Sequence, residues 1–210
     1  MKAVASHRQI PGFFTDADYA AVEQIVGMLP PDGTLIEVGC LMGRSTTAWA
    51  EALRGSGRRF EVHAIDTFAA SFRNYAEYLE GDPALIQEVL ETSRSQEELF
   101  VEFTRAYSNI TYSKTPFSTS FAWDKPVHCV FEDSDHAANT LAQALPFWWA
   151  MLEPGGVLSG HDYDKDCPDV IQEVDRFVRA LDTRVTLYPG SSFWSCRKPA
   201  AAPARDVKAC

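Results

Sequence analysis

The feature that most constrains this chain is a regular alternation of short apolar runs with amphipathic stretches. Thr34 to Val38, Phe60 to Ile65, Ile110 to Tyr112, Val127 to Phe131 and Val157 to Ser159 are short runs set off by turn residues or helical stretches, as expected of strands buried on both faces. Helical periodicity fills the intervals. Thr15 caps a helix whose apolar stripe is Tyr19, Val22, Ile25, Val26 and Leu29, and Pro30-Pro31-Asp32-Gly33 ends it. Ser45 to Leu53 reads as a second helix, closed by Gly55-Ser56-Gly57. Residues 68–108 are helical in character, with a break at Gly81-Asp82-Pro83. Ala138 to Leu152 is a helix that Pro146 must kink or divide. The last helix shows Val170, Val174, Phe177, Val178 and Leu181 on one face. Finally, Arg184 to Leu187 and Phe193 to Cys196 flank Tyr188-Pro189-Gly190-Ser191-Ser192, a hairpin signal.

Strands alternating with helices predict an α/β fold: a Rossmann-like, doubly wound, mostly parallel sheet with helices on both faces. The closing hairpin adds an antiparallel strand at one edge. The length of 210 residues suits one domain, drawn at residues 1–198, and the Ala/Pro-rich tail 199–210 is expected to be disordered. A net charge of −10 without a Lys/Arg stripe argues against nucleic acid as a partner. No apolar run approaches the roughly 20 residues of a membrane helix, and Met1 to Gln9 lacks the pattern of a signal peptide, so a cytoplasmic location is expected. The five cysteines are scattered without a CxxC pair, which disfavours a structural zinc site or a disulfide framework; Cys40 and Cys129 read as small core residues.

In such sheets ligands bind beyond the carboxyl ends of the strands, and the chemically interesting residues fall there. Glu37-Val38-Gly39-Cys40-Leu41-Met42-Gly43-Arg44-Ser45 follows the first strand and opens a helix, so glycine backbone and free helix N–H groups face the same point. It lacks the G-x-G-x-x-G spacing of dinucleotide binders and the Gly-Lys-Ser/Thr ending of a phosphate-cradling loop. Asp66, followed by Thr67, ends the second strand 27 residues after Gly39, where a carboxylate can accept hydrogen bonds from ribose hydroxyls.

Taken in order, this loop, Ala64-Ile65-Asp66-Thr67-Phe68, Val130-Phe131-Glu132-Asp133-Ser134-Asp135-His136, Leu152-Glu153-Pro154-Gly155-Gly156 and Gly160-His161-Asp162-Tyr163 resemble the class I S-adenosylmethionine-dependent methyltransferases. Within that family the chain most resembles the bacterial small-molecule O-methyltransferases that modify sugars in macrolide antibiotics, and the likeness covers residues 10–198. It implies a seven-stranded sheet with an antiparallel last strand. It also implies Gly39 and Gly43 beneath the methionine part of the cofactor, Glu37 and Ser45 close by, Asp66 on the ribose, and Thr67 and Asp133 among the other cofactor-binding residues. Thr115-Pro116-Phe117-Ser118 would border the adenine, with Phe117 where many relatives carry an acidic residue.

Asp133, Asp135 and His136 follow the fourth strand; His161, Asp162 and Asp164 follow the fifth, its neighbour in a doubly wound sheet. Converging carboxylates repel unless protonated or neutralised, and oxygen ligands suit Mg²⁺ or Mn²⁺. The resemblance implies a divalent ion here, held by Asp133 and Asp162. Tyr163 stands at a relative's ligand position, and Asp135, His136 or Asp164 are the other sources of a third ligand. Without a metal, His136 or His161 serves as general base. The expected activity is transfer of a methyl group to a hydroxyl of a small-molecule acceptor, such as a sugar, with Asp133, Asp162 and His136 as catalytic residues. Metal-independent or N-directed transfer, a nicotinamide-dependent oxidoreductase and a non-catalytic nucleotide-binding protein are the alternatives.

Phe68, Phe72, Tyr75 and Tyr78 form either a core stripe or a pocket wall. Phe147, Trp148 and Trp149 serve the core or a contact with a second copy in a homo-oligomer. Trp194 is expected within the sheet, and His63 and His128 are expected as structural histidines.

Overall fold

The computed structural model describes residues 5–70, 72–181 and 183–200. The tail expected to be disordered therefore lies almost entirely outside the described residues. In chain order the elements are α1 (Asp16–Met28), β1 (Asp32–Val38), α2 (Arg44–Gly55), β2 (Arg59–Asp66), a 3₁₀ segment (Phe72–Tyr78), α3 (Pro83–Glu91), α4 (Gln96–Thr104), β3 (Ile110–Lys114), β4 (Val127–Glu132), α5 (Ala138–Met151), β5 (Leu152–Gly160), α6 (Pro168–Ala180), β6 (Thr186–Leu187) and β7 (Trp194–Arg197).

The seven strands lie in the order β3-β2-β1-β4-β5-β7-β6. The first five are mutually parallel, and β7 runs antiparallel to both its neighbours. The antiparallel strand is thus not at the edge, as the hairpin signal implies: β7 inserts beside β5 and leaves the two-residue β6 outermost. Gly160 allows this, because a Cβ there would meet the Trp194 indole at 2.6 Å.

α1 carries a capping box in which the Thr15 hydroxyl accepts from Asp18 N–H while the Asp18 carboxylate accepts from Thr15 N–H. α5 continues through Pro146 as one helix, so the proline does not divide it. The stretch 68–108 breaks at Gly81-Asp82 as expected and again at Thr92–Ser95, where Ser95 caps α4. One face of the sheet packs Phe131 and Phe193 against Val22, Ile25 and Trp49 of α1 and α2. The other packs Val130, Leu158 and Trp194 against Trp148 and Val174 of α5 and α6. Trp49, Trp148 and Trp194 are essentially fully buried, and truncating a side chain of that size costs about 3–5 kcal/mol. Phe147 and Trp149 pack partly buried beside Trp148. Among the described residues no helix is long and apolar enough to cross a membrane.

The chain enters the sheet at β1 and later crosses to β4 on its other side, so the connections leave these two strands in opposite directions. Val38 pairs with Glu132, which sets Gly39 beside Asp133 at the carboxyl edge. That junction is the topological switch point, where a doubly wound sheet opens a crevice.

Candidate active site

A cavity of about 1090 Å³ opens at this point. It exceeds the roughly 300–1,000 Å³ typical of one small-molecule site, so it has room for a nucleoside-sized group and a second molecule. Its floor begins with the glycine loop. Gly39 has φ 84°, and a Cβ there would lie 2.1 Å from the Asp133 carbonyl oxygen, so only glycine fits. Asp66 braces the loop: Oδ2 accepts from Cys40 N–H at 2.8 Å and Leu41 N–H at 3.0 Å, and Oδ1 accepts from Phe68 N–H at 2.6 Å. Each oxygen offers two lone pairs, so Oδ1 keeps one for a ligand hydroxyl.

Cys40, Leu41, Ser45, Asp66, Thr67, Thr115, Pro116 and Phe117 all line the cavity. Three expected cofactor residues are placed otherwise. Gly43, φ 89°, faces α4, where a Cβ would meet the Thr104 side chain at 2.7 Å; it serves helix packing rather than the cavity wall. The Ser118 hydroxyl lies 2.7 Å from that of Ser120, and Ser118 is not among the lining residues. Glu37 is fully buried behind the loop, and neither carboxylate oxygen has a well-formed hydrogen bond. Burial pushes its carboxyl up to about 7, against the opposing pull of the Ser45 and Thr46 hydroxyls.

Among the described residues, three non-glycine residues adopt left-handed backbone: Leu41 (φ 48°), Phe68 (φ 53°) and Asp162 (φ 58°). All three lie on or beside the cavity, which is where local strain concentrates at functional sites.

Beyond the loop, the ends of β4 and β5 bring Asp133, His161 and Asp162 together. One donor atom from each lies within 4.8 Å of the others. His161 sits in a row of carboxylates: Nε2 is 3.4 Å from Asp18, Nδ1 is 3.2 Å from Asp162 Oδ1 and 4.0 Å from Asp133 Oδ1. His136 Nε2 donates to Asp162 Oδ2 at 2.8 Å, and its Nδ1 is 3.6 Å from the Cys167 thiol.

Burial lowers the basicity of His161, but its bonds to Asp162 and Asp18 and the Asp133 charge outweigh this and raise its pKa well above the ordinary value. Bonding to Asp162 raises that of His136. Burial works against the Asp162 carboxylate, yet the two imidazoles hold its pKa well below the usual range. Asp133 lacks such close partners: burial dominates, the Asp162 charge adds to it, and its pKa rises well above normal. Like charges with divergent environments are thus pushed apart, as at many catalytic carboxylate pairs.

The other expected metal ligands stand elsewhere. The Tyr163 hydroxyl donates to Asp175 at 2.8 Å, and burial with that carboxylate pushes it up to about 12, so Tyr163 does not join the cluster. Asp135 lines the cavity, but it accepts from Ala137 N–H at 3.0 Å and Thr140 Oγ1–H at 2.8 Å and so caps α5. Asp164 Oδ1 accepts from Asp166 N–H at 2.8 Å. His63, bonded to the Thr111 and Ser113 hydroxyls, is structural as expected. His128 Nδ1 accepts from Thr34 N–H at 3.4 Å within the sheet.

Sequence reasoning missed two contributors. Asp18 looks like a helix-start carboxylate, yet it also holds His161 and accepts from the Ser191 hydroxyl at 2.5 Å. Arg44 lies inside the glycine-loop pattern without an evident role. Its buried guanidinium donates to the carbonyls of Phe14 (2.7 Å), Ile10 (2.8 Å), Arg8 (3.2 Å) and His7 (3.4 Å), pinning residues 7–14 over the cavity. Gly12 of this strap pairs with Glu80 after the 3₁₀ segment, and Phe13, Phe72, Tyr75 and Tyr78 complete the wall. No local periodicity marks a buried arginine; an Arg directly after a glycine turn was the sole available hint.

The profile of a methyltransferase domain family matches residues 36–163, more than half of the chain. The chain belongs to that family, and with its sheet order and glycine loop it is a class I S-adenosylmethionine-dependent methyltransferase. No curated protein matches the sequence. Among solved structures, the O-methyltransferase NovP is similar with a TM-score of 0.60 at 17% identity, over 87% of this chain and 80% of that one. CalS11, a TDP-rhamnose 3'-O-methyltransferase of calicheamicin biosynthesis, gives 0.53 at 17% identity over 85% and 76%. The N-methyltransferase NodS from Bradyrhizobium japonicum WM9 gives 0.55 at 11% identity over 86% and 94%. These likenesses establish the fold.

Proposed function

We propose that the protein methylates a hydroxyl group of a small molecule, with a divalent cation at the floor of the cavity. The observation that carries this is the convergence of Asp133, His161 and Asp162, whose donor atoms lie within 4.8 Å of one another beside the glycine loop. S-adenosylmethionine supplies an electrophilic methyl carbon, and the loop from Gly39 to Leu41, Asp66 and the Phe117 wall are the residues that would hold it. The Asp133 and Asp162 carboxylates are oxygen donors of the kind Mg²⁺ or Mn²⁺ takes, and an ion held there would anchor the acceptor hydroxyl and increase its acidity. Asp133 fits this role because desolvation and the Asp162 charge raise the pKa of its partly buried carboxyl, so that added positive charge would favour its anion.

The protein's own part is orientation and proton transfer. Asp162 holds His136 through Nε2; Nδ1, which in the free site lies 3.6 Å from the Cys167 thiol, is the atom that takes the hydroxyl proton as the O–C bond forms and the S–C bond breaks, once the acceptor replaces that contact. Asp18 holds His161 from behind, which fixes the ring that faces Asp133 and Asp162. The half-exposed His136 also favours a second reading, in which the histidine–carboxylate row works without a metal and His161 as imidazolium neutralises its neighbours.

Turnover with and without EDTA, with the product identified by NMR, tests these points. Loss of activity in chelator, restored by Mg²⁺ or Mn²⁺, is expected together with an O-methyl product. Undiminished turnover in chelator would leave only the metal-free reading, and an N-methyl product would reject hydroxyl transfer. His136→Gln is expected to lower kcat by about 10²-fold or more.

A further inference from the structure

We infer that the acceptor is a hydroxylated amine that enters the cavity as a cation; the inference rests on the O-methyltransferase reading and specifies its substrate class. Among the described residues, the lining contains six aspartates, Asp66, Asp133, Asp135, Asp162, Asp164 and Asp166, and no lysine. Its one arginine, Arg44, is buried and committed through Nε and Nη1 to backbone carbonyls of the strap. Both lining histidines face Asp162. Among the described residues, no lining side chain therefore offers an uncommitted cation to a phosphate or carboxylate, and away from the floor, where the divalent cation is proposed, a phosphorylated or nucleotide-linked sugar would pass uncompensated carboxylates.

The carboxylates divide by position. Asp66 is spent on the glycine loop, and Asp133 and Asp162 form the floor. Asp135, Asp164 and Asp166 remain toward the opening, half-exposed or exposed. Lys165 pairs with Asp166 at 3.6 Å but is 90% exposed, and such a surface pair neutralises little.

A second observation is independent of charge. The strap and the 3₁₀ segment present large aromatic rings to this cavity: Phe13 is 40% exposed, Tyr75 56% and Tyr78 66%. Neighbouring Phe72 is buried, so the exposed rings are not simply the edge of an incomplete core. Ring faces attract cations, and their combination with carboxylates in a lining that offers no free cation is the chemistry of ammonium recognition. A protonated amine has no lone pair to accept a methyl group. It anchors the acceptor while a hydroxyl of the same molecule reaches the floor, His136 takes the hydroxyl proton, and the methyl carbon passes from sulfur to oxygen.

The test uses the full chain loaded with S-adenosylhomocysteine and two matched probe pairs, dopamine against 3,4-dihydroxyphenylacetate and glucosamine against glucuronate. Binding of each is measured by titration calorimetry and saturation-transfer NMR. The amine of at least one pair is expected to bind about tenfold more tightly than its acid, and Asp164→Asn/Asp166→Asn should reduce that preference to within about threefold while leaving S-adenosylhomocysteine binding unchanged. Preference for the acids, binding of neither member of both pairs, or an amine preference unmoved by the double substitution would overturn the inference. If S-adenosylhomocysteine itself fails to bind, the methyltransferase reading falls first, which separates the two failures.

Discussion

Glu37 is the penultimate residue of β1, one before the cavity-lining Val38, with its carboxyl fully buried and pushed up to about 7. The unfolded chain would titrate it near 4.5, so between the two values the native protein binds more protons than the unfolded one. Stability should then fall as pH rises through this window. Glu37→Gln, which removes the charge without removing a well-formed hydrogen bond, should flatten the fall. Urea midpoints from about pH 5 to about pH 8, without cofactor, measure it; an unchanged slope would mean that Glu37 does not titrate there. At this scale the sequence conveys residue type and place better than role. Asp133 and Asp162 were legible because each stands just past a strand. Asp18 was not, since its second partner, His161, is far away in the chain and meets it only through the packing of α1 against the sheet edge.

Among the elements, the strap is held by one side chain. Of the carbonyls that Arg44 collects, that of His7 also accepts from Ile10 N–H in a single 3₁₀ turn, and charged hydrogen bonds contribute more than neutral ones. Arg44→Ala should loosen the strap while β1, β2 and β4 keep their protection. Amide exchange at residues 7–14 is expected to quicken by roughly thirtyfold, about 2 kcal/mol of local stability, and unchanged exchange there would refute the anchoring role. Elements governed by local periodicity were readable: the five parallel strands, α1, α2 and α6 lie close to their predicted places. The position of β7 was not, because insertion between β5 and β6 depends on the bare Gly160 beneath Trp194, a contact between distant residues. The second break at Thr92–Ser95 was hidden by a continuous helical composition.

At the scale of the whole molecule, the order of strands makes the site. Because the chain leaves β1 and β4 in opposite directions, Gly39 and Asp133 end adjacent strands and the crevice between their loops stays open. The glycine loop, Asp66 and the β4–β5 carboxylates then face one volume, and the family relationship gives that volume its cofactor. Calorimetric titration of the purified chain with S-adenosylhomocysteine, set against NAD, tests this central claim most directly. One site binding S-adenosylhomocysteine below about 1 mM, with no detectable binding of NAD, is the predicted result. Binding of NAD alone, or of neither compound, would contradict the account.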